Sequence, residues 1–408
     1  MTDPNIEQIQ LKHDSTWDIF LIFLRLGLTS FGGPIAHLAY FRHEFVEKRQ
    51  WFDEHAYADL VALCQFLPGP ASSQVGIAIG LSRRGIPGAI AAFSGFTLPS
   101  AMALVLFGFA LPAVGNLLGT SWLHGLKVAA VAVVAQALWG MGKTLAPDRV
   151  RASIVVAAAC IVSLLPVHWE VQIGVILGGG LIGCAFLRSG KQQPSTSHTA
   201  LLIPVSRISG TISLFLFFGF LFLLPVAAAM SESYAIKLVD SFYRAGALVF
   251  GGGHVVLPLL QSQVVPAGWV SNDVFLAGYG ATQAVPGPLF SFAAYLGSVS
   301  SGTPSGWTGA CLALTAIFLP AFLLVIGALP FWDQWRRYTL IRNAMHGINA
   351  AVVGLLLVAF YNPVWSGAIH SAADFCLASM AFLLLVFWKC PPWLVVLFTA
   401  LFAGLGFY

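Results

Sequence analysis

Gln65-Phe66-Leu67-Pro68-Gly69-Pro70 returns in the second half of the sequence as Gln283-Ala284-Val285-Pro286-Gly287-Pro288. Two prolines and a glycine inside an otherwise apolar run interrupt any helix at that point. Interrupted backbone carries N–H and C=O groups without helical partners. Hydrocarbon offers none, so such breaks persist at membrane depth only beside protein, water or a ligand. Two breaks of one design imply one site built twice.

Both breaks lie in the surroundings of a bilayer protein. Of the 408 residues, 58% are hydrophobic and 9% charged. With a mean hydropathy of +0.83, the chain has too little charge to cover a water-soluble globule. Apolar runs of about 20 residues, the span of a bilayer at helical rise, recur along the length without the sustained alternation of a barrel. The expected fold class is therefore an all-α polytopic membrane protein. The six cysteines are scattered, with no C-x-x-C pair and no histidines at metal spacing, so they read as buried free thiols and no metal is expected. There is no P-loop and no ligand set for a flavin or haem, so neither an ATP step nor a cofactor is expected. A net charge of +4 bears on topology rather than on nucleic acid.

Apolar segments lie near residues 17–40, 56–80, 86–112, 124–146, 152–167 and 170–188, then a single one near 208–230, then 236–262, 273–297, 306–331, 343–361, 367–388 and 391–408. Six, one, six divides the chain into a polar N-terminus (1–16), a first repeat (17–188), a polar linker with a linking transmembrane helix (189–230) and a second repeat (231–408). The N-terminus carries Asp3, Glu7 and Asp14 in place of the basic and apolar regions of a signal peptide, so insertion falls to the first internal helix. The repeats match at ordered positions. Arg25-Leu26-Gly27 and Phe31-Gly32-Gly33 pair with Arg244-Ala245-Gly246 and Phe250-Gly251-Gly252. Phe96-Thr97-Leu98-Pro99 resembles Phe318-Leu319-Pro320, and His124-Gly125-Leu126-Lys127 resembles His346-Gly347-Ile348-Asn349.

Charge tests how the repeats are oriented. Suppose the two motif-bearing segments of each repeat are broken, re-entrant hairpins that enter and leave on one side, while every other segment crosses. Sixteen of the twenty Lys and Arg then fall on one face, among them Lys12, Arg42, Lys48, Arg49, Arg188, Lys191, Arg336 and Lys389, and only Lys237 on the other. The crowded face is cytoplasmic. The N-terminus is then cytoplasmic and the C-terminus outside. If all thirteen segments crossed, Arg42, Lys48 and Arg49 would lie outside. In both arrangements the second repeat is inverted relative to the first, the build of many secondary transporters.

The chemistry-bearing residues gather at the breaks. Arg25 and Arg244 occupy matching positions, and an arginine at the bilayer centre, costing at least about 2.5–3.5 kcal/mol, calls for an anionic partner. The plain alternative is an ion pair or snorkelling, and Asp240 stands four residues before Arg244. Gly32, Gly33, Gly251 and Gly252 let backbone approach a ligand. Pro68, Gly69 and Pro70, with Pro286, Gly287 and Pro288, free the N-terminal amides of half-helices, which bind oxyanions without a lysine. Ser72, Ser73, Gln74 and Ser291 add donors in the first turns. Gln65 and Gln283 either hold substrate or satisfy freed carbonyls. His37 and Glu44, the latter with a raised pKa, are the candidates for proton coupling. His254, beside the second Gly-Gly pair, is a further candidate for substrate binding, although a lone histidine in a helix is usually a satisfied structural residue. Lys127, near an outer helix end, reads as a snorkelling side chain.

At these residues the sequence resembles the chromate ion transporter family in its long, two-domain form. The resemblance rests on Phe31-Gly32-Gly33-Pro34, on Gln65-x-Leu67-Pro68-Gly69-Pro70 with Gln74, and on the copies at Phe250-Gly251-Gly252 and Gln283-x-x-Pro286-Gly287-Pro288. It covers nearly the whole chain. It implies export of chromate across the inner membrane of a bacterium or archaeon, conferring resistance, with sulfate as the look-alike ion. The second copy departs from the first: Pro34, Ser72 and Gln74 become Gly253, Phe290 and Phe292, which puts a symmetric site in doubt. The rival readings are sulfate or other oxyanion uptake or exchange, a membrane-embedded chromate reductase, and a channel. A homodimer is an assembly compatible with the sequence.

Overall fold

The first helix begins where a capping residue dictates. Ser15 Oγ accepts the Trp17 amide, and the Ser15 amide donates to Asp18, a reciprocal box that satisfies the free donors of a helix start. Helix α1 (Thr16–Thr29) ends at Ser30, and α2 (Gly33–Arg42) carries Pro34 in its first turn before passing into a π-helical stretch, His43–Lys48. The Phe23 ring of α1 lies 5.6 Å from that of Phe41 and 5.1 Å from that of Phe45. Were α1 and α2 in line, those rings would be about 30 Å apart. The segment instead folds back on itself, with its tip at residues 30–32.

The other motif segments do the same. Helix α3 (Glu54–Phe66), capped by Asp53, stops at Leu67, and α4 (Ala71–Leu118) starts just after Pro70. The backbone leaves helical geometry at Arg84 and Gly85, which divides α4 into residues 71–83 and 86–118. Arg83 lies 4.7 Å from the ring of Trp51, so the short arm returns to the side from which α3 set out. In the second half α9 (Tyr234–Leu248) and α10 (Val256–Val264) pair through Ser241 and Gln263, 3.3 Å apart. Helices α11 (Asn272–Thr282) and α12 (Phe292–Val299) pair through the Tyr295 hydroxyl, which donates to the Val274 carbonyl at 2.9 Å.

The remaining helices are α5 (Ser121–Leu145), α6 (Arg149–Leu164), α7 (Trp169–Phe186), α8 (Arg207–Met230), α13 (Gly306–Ala328), the short α14 (Trp332–Trp335), α15 (Thr339–Ala359), α16 (Ala372–Val386) and α17 (Pro392–Gly404). The computed structural model describes residues 15–118, 121–165, 169–187, 205–336 and 338–405. The polar N-terminus with Lys12, the linker stretch with Arg188 and Lys191, Arg337 and the last three residues lie outside them. Among the described residues every regular element is helical. Five helices are long and apolar enough to cross a bilayer, and α8 keeps only 11% of its most apolar window buried, as suits a helix facing lipid. This is an all-α, multi-pass membrane protein.

Matched residues make matched contacts. A side chain at Gly27 would run into the Phe96 carbonyl of α4, and one at Gly246 into the Ile317 carbonyl of α13. Gly125 brings α5 against Thr399 and Ala400 of α17, and Gly347 brings α15 against Gly179 and Gly183 of α7. Those last contacts cross the halves. Helices α6 and α7 of the first pack on α15 of the second, while α16 and α17 of the second pack on α5 of the first. The two sets of hairpins also address α4 at opposite ends. Gly88 closes on Gly80 of the first set, and Gly108 meets Ser298 and Val299 of the second, about 30 Å farther along the helix at 1.5 Å per residue.

Candidate functional site

Hairpin tips freed of helical bonding find their partners in each other. The Gly69 amide donates to the carbonyl of Val249 at 2.6 Å, and the Gly287 amide donates to the carbonyl of Ser30 at 3.0 Å. Ser30 and Val249 precede the two Phe-Gly-Gly motifs, so each Pro-Gly-Pro tip is bonded to the Phe-Gly-Gly tip of the other half. Gly69 holds φ +121° and Gly287 φ +106°, where a Cβ is strained, and the tip geometry requires both. Around the first tip Gln74 Nε2 donates to the Pro68 carbonyl at 2.7 Å. Around the second, Ser291 Oγ donates to the Pro288 carbonyl at 2.7 Å.

The crossed tips head a cavity of about 710 Å³. Gly32, Gly33, His254, Gln283 and Gly287 from the sequence-derived set line it, together with Phe31 and Pro34. Gln283 Nε2 is buried there without a hydrogen-bond partner. The His254 ring nitrogen Nδ1 lies 2.9 Å from the Tyr279 hydroxyl. Polar residues that sequence reasoning missed also line it, among them Gln136 of α5, Thr282 of α11 and Lys389 of the α16–α17 turn. Lys389 is exposed, in a left-handed conformation (φ +53°), and among the lining residues it is the cation, with no carboxylate beside it. A non-glycine residue turned left-handed just ahead of Pro391-Pro392 is a signal of a shaped loop, whereas in the sequence Lys389 counts only toward topology.

Behind the first tip lies a set of buried polar groups. His37 Nδ1 is 3.3 Å from Ser72 Oγ, and Ser30 Oγ, Ser73 Oγ, Thr97 Oγ1 and Gln74 Oε1 are buried without partners. Gln74 N–H to the Pro70 carbonyl is the first helical bond of α4, so the amides of Ala71, Ser72 and Ser73 form the open end of that helix. At the matching positions of the second half stand Val249, Val256, Phe290, Phe292 and Phe318, all buried. The buried positions are polar behind the first tip and apolar, with three phenylalanine rings, at the matching places behind the second. Ser291 is the hydroxyl that the second half retains, opposite Ser73.

The other predicted residues stand apart from the cavity lining. Arg244 is buried, its Nε donating to Asp240 Oδ1 at 2.9 Å and its Nη2 to Asp240 Oδ2 and Gln263. Arg25, its sequence match, is exposed on α1, and Gln65 is exposed on α3. Gly251 faces Met141 and Leu145, and Gly252 has open space where a side chain would be. The raised pKa expected of Glu44 is corrected. Burial does push this carboxyl upward, but hydrogen bonds and charge from Arg49 and Lys48 outweigh it, and the pKa falls below the ordinary value.

A family model described as chromate transporter matches residues 17–184 and matches again at 236–405. The chain belongs to the chromate transporter family. The chromate transport protein of Pseudomonas aeruginosa is 28% identical over 347 residues, 83% of this chain and 78% of that one. A probable chromate transport protein of Synechococcus elongatus is 29% identical over 401 residues, covering 95% and 94%. The uncharacterized transporter YwrA of Bacillus subtilis is 28% identical over 175 residues, 42% of this chain but 96% of its own, so less than half of this chain spans nearly all of that protein. No solved structure matches.

Proposed function

We propose that this protein is a secondary transporter that exports chromate across the plasma membrane of a bacterium or archaeon, and so confers resistance to it. One observation carries the reading: four interrupted helices bonded tip to tip at the head of a cavity whose lining has a lysine and no carboxylate. Chromate is a tetrahedral dianion, and such a lining offers it backbone amides, glutamine donors and one positive charge. The family and its chromate-transporting relatives support the cargo. The chain acts as a carrier rather than as an enzyme.

In this reading the repeats are inverted. Support comes from the hairpins that meet α4 at opposite ends and from the arginines and lysines near the outer ends of the first set. The cavity then faces the cytoplasm through the turn that bears Lys389. The Ser72, Ser73 and Gln74 group at the open end of α4 is the inner binding station, reached past Gly32, Gly33 and Gln283. Membrane potential suffices as a driving force. It favours outward movement of anions by about 2.3 kcal/mol per charge per 100 mV, roughly doubled for a dianion.

Counterflow in proteoliposomes with labelled chromate and labelled sulfate tests the cargo. Chromate exchange that sulfate competes for weakly is the expected result. Exchange of sulfate alone would reassign the substrate, and loss of chromate colour without transfer would indicate a reductase.

A further inference from the structure

A second cavity of about 710 Å³ lies away from the crossed tips, lined by Leu123, His124 and Lys127 of α5, Asp273 of α11, and His370 and Asp374 at the start of α16. The three helices that wall it also wall the first cavity, at their other ends. Helix α5 contributes Gln136 there, α11 contributes Thr282, and α16 contributes Leu385. Between the two cavities α5 is closed against α11 on one side and α16 on the other. Val128 through Ala132 of α5, Tyr279 of α11 and Leu377, Ala378 and Ala381 of α16 are all buried. A side chain at Gly280 would strike the Leu126 carbonyl. Along α5 the closed stretch spans Lys127 to Val133, about 9 Å at helical rise. On the far side of α11 the Tyr279 hydroxyl reaches His254 of the first cavity at 2.9 Å.

The two cavities differ in charge. The first has Lys389 and no acid in its lining. The second has Lys127 against two carboxylates: Lys127 Nζ donates to Asp273 at 2.9 Å, and His124 Nε2 lies 2.7 Å from Asp374. Asp374 also accepts the amides of His370 and Ser371, so it is fixed in place. The Asp273 side chain is 77% exposed even while it accepts from Lys127, and with Asp374 the cavity holds one carboxylate more than its lysine.

We propose that the two cavities are the ends of one oxyanion route between α5, α11 and α16, and that Asp273 and Asp374 make the far end a low-affinity exit. This rests on the transport reading above and adds its route and its asymmetry. An ion entering beside Lys389 crosses the closed stretch of α5 when α11 and α16 part from it. It then leaves past a lining whose two carboxylates outnumber its one lysine, an excess that disfavours its return. The membrane potential still sets net direction; the carboxylates set the concentration at which the outer face loads.

The test uses the full chain in sealed vesicles, with chromate and sulfate as probes. Asp273→Asn is expected to lower the half-saturating oxyanion concentration at the outer face, and Lys127→Gln to raise it. Each shift should be about fivefold, as for one screened unit charge across a cavity radius. The half-saturating concentration at the inner face should stay unchanged in both. Loss of the Lys127–Asp273 bridge as mere scaffolding would move both variants the same way, so same-sign shifts overturn the proposal. Native Cys390, on the first cavity, and Leu123→Cys, on the second, should react with a membrane-impermeant maleimide from opposite faces, read by peptide mass spectrometry. Reaction from one face also overturns the route, whatever the flux. Absence of any oxyanion flux in the unsubstituted protein would instead overturn the transport reading, and the labelling would still report where each cavity opens.

Discussion

Gly69 is the residue on which the site turns. Its amide holds the opposite tip, and its φ of +121° lies where a side chain adds about 1–2 kcal/mol of strain. Gly69→Ala should therefore abolish chromate efflux while leaving the protein in the membrane, measured as efflux per unit of membrane-inserted protein. Gln74→Phe, which copies Phe292, should fill the polar space behind the first tip and also stop efflux, with the thermal midpoint unchanged or raised. Arg244 and Arg25 look equivalent in the sequence but have different environments here. Asp240→Asn would leave a buried guanidinium without its carboxylate and should destabilise by about 3–5 kcal/mol, seen as a fall in the melting temperature in detergent. Arg25→Ala, on an exposed face, should leave that temperature nearly unchanged. The Asp240 partner could be read from i,i+4 spacing. The contribution of Lys389 could not, because a cavity wall assembled from residues far apart in sequence leaves no local pattern.

At the scale of elements, the broken segments fold back at their breaks, and one amide of each Pro-Gly-Pro tip is bonded to the break of the other half. The proline and glycine punctuation made this legible, and the charge count separated hairpins from crossings. The exchange of α6 and α7 with α16 and α17 left its trace only in Gly125 and Gly347, which as sequence are an unexplained match. Gly125→Leu and Gly347→Leu should each force one exchanged pair apart and destabilise by about 1–3 kcal/mol, again measurable as melting temperature. The π-helical end of the first hairpin is tied by Glu44 to Arg49 and Lys48. Its carboxyl is held below the ordinary value of 4.5. The tie is therefore complete above that pH and is lost as pH falls through the lower folded value. Glu44→Gln should remove that portion of the acid sensitivity, as followed by acid melting profiles.

For the whole molecule, the two halves are alike in frame and unlike in filling. Where the first keeps serines, a histidine and a glutamine behind its tip, the second keeps rings. A protein with one polar side and one ring-filled side should take one oxyanion per chain, which equilibrium binding of labelled chromate to purified protein would measure. Finding two equal sites would mean that the ring-filled side also opens. The exchanged helices carry a different consequence. Each half lends the other its last two helices, so neither can finish building its walls alone. Severing the chain between α7 and α8 should give fragments that are degraded when made singly and that reassemble into a working carrier when made together. The covalent connection would then be a convenience of synthesis, and the clasp of one half in the other would be what makes this a single protein.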